Sequence, residues 1–160
     1  FFLGVHFATP IIKLGPATIM YAGSAIPLVV VSNNPKYTTV ITAGVPHRVE
    51  SGRGPVVGAG LVPFGLQVET PIARGADLYI NGGIGGAWFT RPMPRDGARK
   101  FNFSLEFGGG LYLMKHRRTA LNLGYKFHHF SNMYTARENP GLDGHVLYAG
   151  VRWRKQAPRE

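Results

Sequence analysis

The sequence contains no cysteine. Disulfide staples, thiol nucleophiles and thiolate metal sites are therefore excluded. Acidic residues are scarce as well, 8 Asp and Glu against 18 Lys and Arg, for a net charge of +10 at pH 7. Such a balance calls for an anionic partner or surroundings, such as nucleic acid or the phosphates of membrane lipids, unless it is only a basic solvated surface. Only 16% of the chain is charged, while Gly (22) and Pro (12) together exceed a fifth of it. Long amphipathic helices do not fit that composition, whereas strands and turns do. A helix through the membrane is also disfavoured. The one uncharged stretch of sufficient length, 14–35, is broken by Gly15, Pro16, Gly23, Pro27 and Pro35 and carries the β-branched run Val29, Val30, Val31. It reads as two strands, or as one strand with a bulge. The first residue is Phe1 and no charged leader with an apolar core follows it, so any signal peptide is expected to have been removed already. At 160 residues the chain suits one domain, 1–160.

What is present is alternation. In 101–113, Phe101, Phe103, Leu105, Phe107, Leu111 and Leu113 oppose Asn102, Ser104, Glu106, Gly108, Gly110 and Tyr112. A period of two is the mark of a strand. The same pattern, with turn residues between, predicts strands at 1–9, where Pro10 is the stop, and at 56–69, 78–88, 121–132 and 143–153, while 17–31 is strand-like but apolar on both faces. A weaker, Thr-rich candidate covers 37–45. In 56–69 the apolar side is read as Val56, Val62, Phe64, Leu66 and Val68. Residues 46–55 and 91–99 read as loops, the second of them basic.

Large apolar residues share one face of these strands, and glycine, small amides and tyrosine share the other. A soluble sandwich would also alternate, but Gly, Asn and Ser opposite Leu, Phe and Trp suits a narrow membrane barrel with lipid outside and a filled polar interior. The expected fold is all-β, a closed antiparallel eight-stranded barrel of the outer-membrane type. With 37–45 counted, eight strands place both termini on the periplasmic side. Without it seven remain, and one must precede Phe1.

The chemistry gathers in 121–153. Along 121–132 the odd face runs Leu121, Leu123, Tyr125, Phe127, His129, Ser131, and Asp143 opens the next strand. His129 and Ser131 lie about 6.8 Å apart along an extended strand, on one face. Asp143 on the antiparallel neighbour can reach His129. Serine is a weak nucleophile until a base takes its proton, and the base needs an acid to fix its tautomer. Asn132, Asn139 or loop amides can stabilise an oxyanion. Counted from the C-terminal end, this constellation falls at the outer end of the barrel, on the lipid side. Ionisable groups there are costly, roughly 2 to 4 kcal/mol for Arg or Lys at mid-membrane, which argues for a function. His128 and His145 invite a metal reading with His129. However, His128 lies on the opposite face and no carboxylate cluster accompanies them, so neither metal nor another cofactor is expected.

The segment Tyr125-Lys126-Phe127-His128-His129-Phe130-Ser131-Asn132, followed by Asn139-Pro140-Gly141-Leu142-Asp143, resembles the lipid A 3-O-deacylase (acyloxyacyl hydrolase-like) family of bacterial outer-membrane barrels. The similarity extends more loosely through Ile26-Pro27-Leu28, 58–67 and 101–110. The resemblance implies an eight-stranded barrel in the outer membrane whose triad cuts an ester-linked acyl chain from lipid A. His129 matches the base, Ser131 the nucleophile, Asp143 the acid, and Asn132 a residue of the oxyanion site. The acid is often glutamate in the family, one methylene longer. Arg91, Arg95, Arg99 and Lys100 then border an outer loop, where they can dock lipid A phosphates. Lipopolysaccharide and membrane lipids are the implied partners, with a homo-oligomer or larger membrane complex left open. A non-catalytic barrel of the same ancestry, acting as an envelope scaffold or subunit, is the alternative. A nucleic-acid partner is disfavoured, because no recognition motif is present and the aromatics lie on the apolar face rather than among the basic residues.

Overall fold

Alternating side chains give strands throughout the computed structural model, which describes residues 1–32, 37–50, 54–94, 97–116, 119–137, 139 and 141–153. Among the described residues nine strands follow in order: β1 (Phe2–Leu14), β2 (Ala17–Val31), β3 (Tyr37–Thr42), β4 (Val45–Glu50), β5 (Val56–Ala73), β6 (Ala76–Met93), β7 (Arg99–His116), β8 (Thr119–Ser131) and β9 (Leu142–Trp153). All pairings are antiparallel, and the large sheet has seven strands in the order β1-β2-β5-β6-β7-β8-β9.

The sheet curls into a barrel, so strands far apart in that order meet through its interior. His6 on β1 bonds Gln67 on β5 at 3.1 Å. Arg152 on β9 bonds Glu69 on β5 at 2.6 Å. The rings of Phe2 on β1 and His128 on β8 lie 5.2 Å apart. Inside are Ser24, Gln67, Asp77, Asn102, Glu106 and His128, all buried. Outside are Leu105, Phe107, Leu147 and Val151, with exposures of 50%, 62%, 85% and 53%. This inversion of the soluble pattern is what a bilayer demands: apolar residues face lipid, and polar ones pair within the wall. Trp88, Phe101 and Phe103 form a chain of ring contacts at one end of the outer face, and Trp153 is exposed at the other, as in an aromatic girdle.

The two ends of the barrel differ in their connections. At one end, Leu14 pairs with Ala17 and Ala73 lies close to Ala76, across two-residue turns containing Gly15 (φ 57) and Gly75 (φ 82). Positive φ makes glycine the fitting residue there. The connections at the other end are longer, and Ser131 and Leu142 lie there. Short turns face the periplasm in such barrels and long loops face outward, so the His129 end is the outer end.

The structure revises several sequence readings. Segment 37–45 is not a wall strand: β3 pairs with β4 in a separate hairpin, turning at Ala43 (φ 52) and Gly44 (φ 78). Part of the expected loop 46–55 is therefore strand. With seven wall strands, β1 begins at the outer end, where Phe2 pairs with Val29, and β9 finishes at the opposite end, where Trp153 pairs with Thr119. The two termini of the described wall thus lie on different sides, not on one. Pro10 does not stop β1, which continues to Leu14 through an irregularity between Pro10 and Ile12. An edge strand tolerates the missing N–H. In β5 a register shift between Leu61 and Phe64 reverses the alternation, so Val56 and Val62 point inward while Phe64 and Leu66 point outward. The expected basic loop 91–99 is shorter, because Arg91 lies in β6 and Arg99 opens β7.

The interior is also not polar throughout. Below the outer mouth Ile26, Val29, Val56, Val62, Phe89 and Phe130 form an apolar plug, with Phe89 and Phe130 edge to face at 5.6 Å. Further down, aromatic and polar groups fill the lumen, where Tyr79 stacks on Tyr112 at 4.4 Å and bonds both Tyr148 and Asn122. Gly124 makes room for this layer, since a Cβ there would sit 2.4 Å from the Tyr148 ring.

Candidate active site

Because β8 alternates, its last turns of pleat divide four adjacent residues between two environments. His128 and Phe130 point inward and are buried, while His129 and Ser131 lie on the lipid side, half-buried. Phe130, between the two outer candidates in sequence, is anchored in the apolar plug, which holds this part of the strand against the barrel.

His129 and Asp143 are cross-strand partners, and His129 Nδ1 meets Asp143 Oδ1 at 2.6 Å. With Nδ1–H donating to the carboxylate, Nε2 presents its lone pair, as a general base requires. Their side chains are 38% and 61% exposed, open to the outer leaflet. Ser131 ends β8 on the same face one pleat higher, paired with Phe103 of β7. Gly141 (φ 66) carries the returning chain past the imidazole. A Cβ there would lie 3.2 Å from His129 Cε1 and 3.9 Å from Nε2. A side chain at 141 would therefore crowd the Cε1–Nε2 edge of the imidazole.

The loop between β8 and β9 is tightly bonded. The Asn132 N–H donates to Asn139 Oδ1 at 2.9 Å, and the Asn132 carbonyl accepts from Thr135 N–H at 3.0 Å and Thr135 Oγ1 at 2.7 Å. Met133 and Tyr134 between them adopt φ of 49° and 60°. Two consecutive left-handed non-glycine residues cost energy and persist only where neighbouring bonds over-determine them. Of the two amide candidates, Asn132 has its side chain buried and its N–H committed to Asn139, and Asn139 Oδ1 fastens the loop. The sequence pointed to both residues but not to this bond between them.

The four basic candidates do not act alike. Arg91 donates to the carbonyls of Gly54 at 3.3 Å and Pro55 at 3.0 Å, tying β6 to the start of β5. Arg99 Nε donates to the Thr135 carbonyl at 2.6 Å. Lys100 is exposed, and Arg95 lies outside the described residues. The histidines of the metal reading diverge. His128 Nε2 lies 3.0 Å from a Glu106 carboxylate oxygen inside, whereas His145 on the outer face bonds the Tyr125 hydroxyl at 2.7 Å.

Beside the site the lipid face is grooved. Phe64, Leu66, Ile80, Ile84, Leu105 and Phe107 border a depression of about 740 Å³ over Gly82 and Gly83. Leu105 is the cross-strand neighbour of His129 on β7, so the groove starts one strand from the imidazole. Sequence alone does not show this groove, because it needs the side chains of three strands and the absence of one at Gly82.

The sequence profile of the family described as Lipid A 3-O-deacylase (PagL) matches residues 30–152. Comparison with curated proteins gives no match. Among solved structures, one described as "Crystal structure of the outer membrane enzyme PagL" superposes with a TM-score of 0.66 at 17% identity, covering 94% of this chain and 87% of that one. The profile spans most of the chain and the superposition shows the same barrel fold, so the chain belongs to the lipid A 3-O-deacylase (PagL) family.

Proposed function

We propose that this barrel is an outer-membrane serine esterase that removes an ester-linked acyl chain from lipid A. The observation that carries this reading is the 2.6 Å His129–Asp143 pair on the lipid-facing wall, one pleat below Ser131. An ionisable pair in that position is expensive unless it works. Ser131 Oγ attacks the ester carbonyl while His129 Nε2 takes its proton, and Asp143 remains ionised, orienting the ring and stabilising the imidazolium. His129 then returns the proton to the departing sugar oxygen. Water, deprotonated by the same nitrogen, releases the fatty acid from the acyl-enzyme. Of the candidate oxyanion donors Asn132 and Asn139, the second is better placed, because Asn132 has its side chain buried and its N–H bonded to Asn139 Oδ1.

The surroundings support the same substrate. A membrane-anchored glycolipid presents its esters at the depth where the aromatic girdle ends, and the apolar groove beside His129 suits an acyl chain. Arg91, Arg99 and Lys100 at the rim suit the phosphates, with Arg95, which lies outside the described residues, as the fourth candidate read from the sequence. Mass spectrometry of lipid A from cells making the parent protein or Ser131→Ala tests the reading. Loss of one acyl chain with the parent alone is the expected result. Identical lipid A in both would favour the scaffold role.

A further inference from the structure

Arg99 opens β7, and its own carbonyl accepts a hydrogen bond at 3.1 Å from Nδ2 of Asn102, a buried residue of the inner wall. The base of this side chain is thus fixed to the barrel. Its Nε reaches across to the β8–β9 loop and donates to the Thr135 carbonyl at 2.6 Å. Thr135 in turn holds the Asn132 carbonyl twice, and Asn132 directly follows Ser131. Hydrogen bonds therefore lead from a guanidinium on β7 to the carbonyl of the residue that follows the candidate nucleophile. The two residues bridged by this path, Met133 and Tyr134, are the pair with left-handed φ, which needs external bonds to persist.

We propose that Arg99 is a positioning residue for the active site: it clamps the β8–β9 loop through Thr135 and so sets the backbone around Ser131. This inference rests on the esterase reading. It differs from phosphate docking, which uses only the charge and acts only on a phosphorylated substrate. Clamping uses the directed Nε–H, strengthened by the charge of the guanidinium, and acts on every ester.

Two substrates separate the roles: lipid A in vesicles, and p-nitrophenyl decanoate in neutral detergent micelles, which carries no phosphate. For Arg99→Gln, kcat on the neutral ester is expected to fall about ten-fold or more, the effect of losing a charge-assisted hydrogen bond that orients the site. Arg99→Lys keeps the charge and so holds KM for lipid A near the parent value, yet does not restore kcat, because an ammonium cannot reproduce the Nε edge. Thr135→Val removes only the Oγ1 bond to Asn132 and is expected to lower kcat on both esters by a smaller factor. It tests the same path without touching charge, should Arg99→Gln not fold. Parent-like kcat on the neutral ester in Arg99→Gln, with loss confined to lipid A, overturns clamping in favour of docking. So does full rescue by Arg99→Lys. A parent protein inert toward both esters instead overturns the esterase reading, and this inference with it.

Discussion

Two histidines adjacent in the sequence each pair with a carboxylate on the neighbouring strand, from opposite sides of one wall. His128 turns inward to its β7 partner Glu106, at 3.0 Å, with Lys126 on the other carboxylate oxygen at 2.8 Å. His129 turns outward to its β9 partner Asp143, at 2.6 Å. The chemical groups are nearly the same, but access differs: the inner pair is 3% and 5% exposed, the outer pair 38% and 61%. No substrate ester reaches the first, and removing one member strands charge in a region of low dielectric. The second is open on the outer rim, where a lipid ester can meet it. Pleating alone therefore separates a buried pair from one that is open to a substrate.

The comparison breaks first at the outer pair. Ser131→Ala or His129→Ala is expected to abolish deacylation, and Asp143→Asn to cost on the order of 10⁴ in turnover, as loss of the orienting acid does in other triads. None should alter the unfolding midpoint of the purified barrel in urea, because these side chains lie on the outer rim. A fall in that midpoint comparable to that of a core mutant would refute the division. The inner pair should respond in the reverse sense. Glu106→Ala leaves Lys126 without its carboxylate and is expected to lower stability by about 3–5 kcal/mol, with turnover per folded molecule unchanged. Denaturant titration and active-site counting on one preparation would separate the two effects, and lost turnover at full folding would show the inner network to be part of the chemistry. Smaller again is the lipid-face control. Leu105→Arg should cost about 2–4 kcal/mol in lipid vesicles if the residue lies near mid-membrane, and less if it lies near the interface. An arginine tolerated without loss would mean that this face is not in lipid.

The wall and the outer pair were legible in sequence because pleating has a period of two and β7 to β9 hold their register across the site. Leu105 and Phe107 point outward, and Glu106 inward, as the alternation requires. Legibility failed where register shifts. The irregularity between Leu61 and Phe64 moved Val56 and Val62 from the lipid face to the plug. Nor does alternation show where a strand turns back on itself. Ala43 at positive φ is no ordinary turn signal, so β3 and β4 were read as one strand and a loop. In the site, the sequence offered Arg99, Asn132 and Asn139 as separate groups. Their bonds depend on a loop whose path is set by left-handed residues at 133 and 134, which nothing in Met or Tyr announces.

The smallest expected effect is also the one that bears most closely on the outer pair. Asp143 and His129 face each other across a β8–β9 rung with Nδ1 and Oδ1 already 2.6 Å apart, so an aspartate spans the gap without strain. Glutamate adds one methylene. On an exposed rim that length can be taken up by a rotamer directed away from the barrel, since Asp143 is 61% exposed and not enclosed by packing. The carboxylate remains ionised and the histidine keeps its tautomer. Asp143→Glu should therefore retain measurable deacylation, with a loss far below that of Asp143→Asn. Turnover of the three proteins on lipid A vesicles decides the matter. If Asp143→Glu is as inactive as Asp143→Asn, the backbone here has been set for the shorter acid, and the geometry of the rung, rather than the presence of a carboxylate, limits the triad.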